Sequence, residues 1–181
     1  MNRVYENRFA RGLAFALMVW ACSDRPSTGP SAGHGQASAS VALGASVPGT
    51  YQLMFLNSAL QPVTSLVAGQ AELVLGAHVQ DGSGAPATRG SVTFEYCSLK
   101  GLPPNDPTRA DEAPVSACLT GQGSWRRLLG VTVNASGNAH MNFGLVKIPR
   151  TIGFRFRYAS QGGFIQSGVS APADFTWVAG S

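Results

Sequence analysis

The chain has 181 residues, enough for one domain with accessory segments, and its 44% apolar content is that of a globular protein. Only 12% of residues are charged, and 13 Lys and Arg stand against 9 Asp and Glu. Nothing clusters the basic residues into the patch a nucleic-acid binder requires, so nucleic acid is set aside as a partner.

The first eleven residues carry Arg3, Arg8 and Arg11 against Glu6, and "GLAFALMVWA" then runs apolar for ten residues before Cys22. A basic flank and an apolar run too short to span a bilayer read as a signal peptide over residues 1–21. Its last residues, Val19-Trp20-Ala21-Cys22, resemble a bacterial lipobox, in which a small residue precedes a cysteine that is acylated before cleavage. The resemblance implies a lipid on Cys22, a membrane as partner and a place in the cell envelope. Cleavage there leaves 10 Lys and Arg against 8 Asp and Glu, a net charge of +2.

Residues 22–47, "CSDRPSTGPSAGHGQASASVALGASV", are nearly all Ser, Gly, Ala and Pro without a hydrophobic period. This composition reads as a flexible tether, with a root-mean-square reach of roughly 25 to 30 Å. His34, between two glycines, is expected to be solvated.

From residue 48 to 179 the pattern changes to short alternating runs separated by turn residues. "TYQLMFL" opens it. "AELVLGAHVQ" sets Leu73, Leu75, Ala77 and Val79 on one face, and "DGSGAP" turns the chain. "SVTFEY" points Val92, Phe94 and Tyr96 inward, with Thr93 and Glu95 outward. "WRRLLGVTV", the turn "NASGN" and "AHMNF" follow. In "IGFRFRY", Ile152, Phe154, Phe156 and Tyr158 alternate with Gly153, Arg155 and Arg157, and "DFTWV" closes the series. Seven or eight antiparallel strands at this spacing predict an all-β sandwich.

The Asp81-Gly82 turn, Gly90 followed by Val92 to Phe94, and Gly137 before Ala139 resemble the bacterial immunoglobulin-like domains of surface proteins. The resemblance covers most of Pro48 to Val178. It implies an immunoglobulin-like fold, and its motifs specify that fold and no activity. Such domains usually stand in tandem as stalks, whereas this chain holds one.

Residues 97–124 are an insertion in that pattern: removing its 28 residues leaves 104, close to a standard sandwich. It begins at Cys97 and contains Cys118. Export places both thiols in an oxidising compartment, where paired cysteines persist as disulfides. No histidine lies within 15 residues of either cysteine to complete a zinc site, and a catalytic thiolate would not be left beside a partner thiol. The two are therefore expected to pair. Pro103, Pro104 and Pro107 stiffen the segment further.

An immunoglobulin-like strand order puts this insertion at the pole away from the amino terminus, together with "GLVKIPRT". Asp106, Arg109, Asp111, Glu112, Lys147 and Arg150 then form a candidate binding surface. The competing reading makes the same charges an internally neutralised, rigid cap. Asp106, Asp111 and Glu112 offer oxygen ligands of the kind calcium takes, but at a spacing that matches no calcium loop. His78 and His140 fall outward on strands expected to be neighbours, and two ligands without a third make a poor metal site. Trp125 and Trp177 are candidates for a sugar-stacking platform, against the commoner fate of an aromatic residue on a strand, which is the core.

Residues 48–179 hold no Gly-x-Ser-x-Gly element, carboxylate pair or phosphate loop, so neither an enzyme nor a cofactor is expected. The leading expectation is a non-enzymatic envelope module that binds a protein or serves structurally. The alternative is a carbohydrate-binding module. On the outer face of the sheet, Glu95 is expected to pair with Arg155 or Arg157 as a solvated ion pair, leaving the second arginine in water.

Overall fold

A computed structural model describes residues 46–102, 110–162 and 165–180. The signal peptide, Cys22 and all but the end of the tether lie outside these residues, as do Asp106 and Arg109. Among the described residues there are nine strands and one short helix, in the order β1 (Gly49–Leu56), β2 (Ser65–Val67), β3 (Glu72–Asp81), β4 (Ser91–Leu99), α1 (Val115–Leu119), β5 (Gly123–Thr132), β6 (Asn138–Leu145), β7 (Arg150–Ala159), β8 (Gly168–Val169) and β9 (Ala173–Val178). None of the helical structure in these residues is long and apolar enough to cross a membrane.

The strands form two sheets. One has the order β1-β3-β6, and the other runs β2-β9-β7-β4-β5, with β8 pairing on β7. The protein is thus all-β, as the alternation predicts. Two details differ from the sequence expectation. The strand count is nine because β2 and β8 hold only three and two residues, too few to show a period. Pairing is also not antiparallel throughout, since β2 runs parallel to β9 with Ser65 opposite Thr176.

The inward faces are those the alternation picks out. Leu73, Leu75, Val92, Phe94, Ile152 and Phe156 have no exposed surface. Phe143 and Phe154 meet edge to face at 4.9 Å, and Phe175 contacts Trp177 at the same distance. These aromatic pairs add specific geometry to the burial of apolar area. The β5–β6 turn needs a glycine: Gly137 has φ 73°, and a Cβ there would lie 2.4 Å from the carbonyl oxygen of Val79.

Topology defines two poles. Gly49 pairs with Asp81, so the chain enters beside the β3–β4 turn, whereas the segment after β4 leaves from the opposite end. Cys97 lies inside β4 and Ser124 inside β5, so the insertion proper is residues 100–122, shorter than the 97–124 read from sequence.

Candidate functional site

The segment between Cys97 and Cys118 is where sequence reasoning locates a site. Beyond the Tyr96–Phe154 pair, β7 no longer pairs with β4. Residues 111–113 take its place. Leu99 N–H donates to the Asp111 carbonyl at 2.7 Å, Ala113 N–H to the Cys97 carbonyl at 2.9 Å, and Gly153 N–H to the Ala113 carbonyl at 2.9 Å. The insertion therefore occupies a gap in the sheet and is not separate from the sandwich. Backbone groups of β4 and β7 that would otherwise be orphaned acquire partners from it.

Pro114 then turns the chain into α1, whose Val115 N–H donates to Asp174 Oδ1 at 2.7 Å. The helix packs on the outer face of β7 where Gly153 has no side chain: a Cβ there would sit 2.5 Å from Val115 N. Cys97 and Cys118 Sγ atoms lie 2.08 Å apart, at bonding distance. Around them Cys97, Ala113 and Ala117 form a second buried cluster, with Leu99 and Trp125 against it.

The charges of the segment are turned inward. Asp111, expected on a presented surface, is only 2% exposed. Its Oδ2 accepts hydrogen bonds from the Tyr96 hydroxyl at 3.0 Å and from Ser98 Oγ at 2.9 Å, while Arg126 Nε donates to Ser98 Oγ at 2.8 Å. Burial, and then the bond to Asp111, push the Tyr96 hydroxyl up to about 12. Glu112 is likewise covered, and Arg150 Nη1 meets its Oε2 at 3.0 Å. Of the expected binding residues within the described part, only Lys147 is exposed. The reason is the gap in the sheet: a strand-like segment lying inside it carries its side chains into the protein, where carboxylates must find donors.

The other candidates resolve similarly. Trp177 is 1% exposed and belongs to the core, so it is no stacking platform. The half-buried ring of Trp125 is covered by the Arg155 guanidinium, 4.4 Å from its centroid. His78 and His140 lie on paired strands, but the His78 nitrogens face Asn138 Oδ1 at 2.8 Å and Gln80 Oε1 at 3.2 Å. Among the described residues no group of three or more His, Cys, Asp or Glu is placed to hold a metal.

At the opposite pole a cavity of about 410 Å³ is lined by residues that include Asp81, Arg89, Tyr158 and Ile165. Two of its polar groups are engaged. Asp81 Oδ1 accepts from Ser83 N–H, Ser83 Oγ and Ala85 N–H within its own turn, and the Tyr158 hydroxyl donates to the Arg89 carbonyl.

The feature that sequence reasoning placed correctly but described incompletely is on the outer face of β4 and β7. Glu95 Oε2 lies 2.6 Å from Arg155 Nε, and Oε1 lies 2.8 Å from Arg157 Nε. Glu95 binds both arginines, and its side chain is 4% exposed. The expected solvated pair is thus a buried carboxylate shared by two guanidinium groups. Trp125, over Arg155, is the signal that was available: a large aromatic on a neighbouring strand excludes water from the pair.

No family model matches this chain, and no curated protein or solved structure does so either.

Proposed function

We propose that this chain is a non-enzymatic immunoglobulin-like module of the cell envelope, exported and held to a membrane by lipid on Cys22, which binds a protein partner or serves structurally. The observation that carries the fold part of this reading is the strand order. Three strands β1-β3-β6 face a sheet β2-β9-β7-β4-β5 in which the short β2 runs parallel to the last strand. That is the order expected if β1, β3 and β6 act as A, B and E, and β9, β7 and β4 as G, F and C, of an immunoglobulin-like sandwich. The anchoring part rests on the basic flank, the ten-residue apolar run and Ala21-Cys22.

In this reading the Cys97–Cys118 disulfide forms on export and locks the insertion into the sheet. Its pole lies opposite the Gly49 end of β1, and its inward-turned charges make it a rigid cap. The test of anchoring is detergent phase partitioning of the full chain expressed in a bacterial host, wild type against Cys22→Ala. Wild type is expected in the detergent phase and the variant in the aqueous phase. Both forms in the aqueous phase would end the lipoprotein reading.

A further inference from the structure

The insertion covers only part of the outer face of the larger sheet. α1 packs at the Gly153 end of β7, while around Glu95 the side chains of Arg127 and Arg157 are exposed. Strands β4, β5 and β7 together hold five arginines and a single carboxylate, that of Glu95. Arg126 and Arg150 are directed to the insertion, through the Leu102 carbonyl and Glu112. The remaining three surround Glu95: Arg127 and Arg155 stand directly opposite it on the two neighbouring strands, and Arg157 is one step along. The cluster carries a net charge of +2.

Glu95 engages Arg155 and Arg157 through Nε alone. A guanidinium has five N–H donors in a rigid fork, so each keeps its Nη donors and is held in place by the carboxylate. Arg157 is half exposed. The Arg127 side chain is exposed and stands outside the Glu95 ion pairs. A row of oriented, partly desolvated guanidinium groups with one internal counter-charge is complementary to carboxylates.

Apolar side chains flank the row. A bulge opposite Thr93 to Glu95 sets Leu129 on the surface, 58% exposed, and Val169, opposite Arg157 on β8, is 41% exposed. The bulge also disrupts the outer edge of β5, which makes strand addition there unfavourable and leaves the face as the contact surface. The mixture of arginine and aliphatic side chains fits a polypeptide better than an anionic sugar, for which the nearby aromatic ring, Trp125, is already covered by Arg155. The chain's own first 45 residues hold only Glu6 and Asp24 against four arginines, so they do not supply the occupant.

We propose that this face, centred on Arg127 and Arg157 with Leu129 beside them, docks an acidic segment of a partner protein that also carries aliphatic residues. This deepens the protein-binding role proposed above and is independent of the lipid anchor, so either can fail alone.

The test uses the full chain and a labelled synthetic peptide of alternating Glu and Leu, with fluorescence anisotropy as readout. Arg127→Glu, at an exposed side chain outside the Glu95 ion pairs, is expected to weaken binding by about tenfold or more, and Leu129→Ser by a smaller factor. Lys147→Glu, an equal charge change at the far pole, is expected to leave affinity within about twofold. Thermal melts that match wild type establish that each variant is folded. No binding by wild type, equal weakening by Lys147→Glu and Arg127→Glu, or equally tight binding of a polyuronate oligosaccharide of matched charge would each overturn the proposal.

Discussion

Glu95 and Arg155 face each other across β4 and β7 with Oε2 and Nε 2.6 Å apart, and the carboxylate is 4% exposed while the guanidinium side chain is 18% exposed. Surface ion pairs contribute about 0 to 1 kcal/mol, but removing one partner of a covered pair leaves the other charge desolvated. Glu95→Gln is therefore expected to cost about 2 to 4 kcal/mol, read from denaturant unfolding. Arg157→Gln, at a half-exposed side chain, is expected to cost about 0 to 1 kcal/mol. Equal, small effects of both changes would show that water reaches Glu95.

The insertion is part of the sheet, so the bond between Cys97 and Cys118 acts on the whole domain. Closing a loop with sequence separation 21 is expected to stabilise the fold by about 3 kcal/mol through the unfolded chain. Reduction, or Cys97→Ser with Cys118→Ser, should lower the single unfolding transition by that amount. A separate, earlier transition confined to the insertion would instead show that it folds independently.

Tyr96 supplies a pH signature. Its hydroxyl is raised from 10.0 to about 12 by burial and by the bond to Asp111. Between those values the unfolded tyrosine has lost its proton while the folded one keeps it, so the folded state binds more protons and stability falls as pH rises. Tyr96→Phe should flatten that part of the alkaline stability profile, and should cost about 1 kcal/mol at neutral pH for the lost hydrogen bond. An unchanged slope in the variant would assign the alkaline loss to other groups.

Gly153 tests the seating of α1. A Cβ at this position meets Val115 N at 2.5 Å and Val115 Cα at 2.8 Å, both backbone atoms that cannot swing aside. Gly153→Ala is expected to cost about 1 to 3 kcal/mol by overpacking and to speed amide exchange at Ala113 and Val115. Exchange confined to wild-type rates would place the helix elsewhere.

How far these features are legible in the sequence depends on the range of the interaction. Alternation along "SVTFEY" and "IGFRFRY" assigns Phe94 and Phe156 to the core and Glu95 and Arg155 to the outside, because a strand's side-chain period is local and is written residue by residue. That Cys97 and Cys118 meet is expected from two cysteines in one segment with no histidine near either, and their Sγ atoms lie 2.08 Å apart.

What lies over those faces is not written locally. Glu95 is outward by period yet buried, because Trp125 of β5 and the two arginines of β7 close over it. Asp111 sits in a loop by every local sign and is nonetheless 2% exposed, because residues 111–113 fill the place that β7 vacates beside β4. The sequence by itself determined the all-β class and the inward faces. Only the tertiary structure decided which polar groups are desolvated, because desolvation depends on segments distant in the chain meeting over the same atoms.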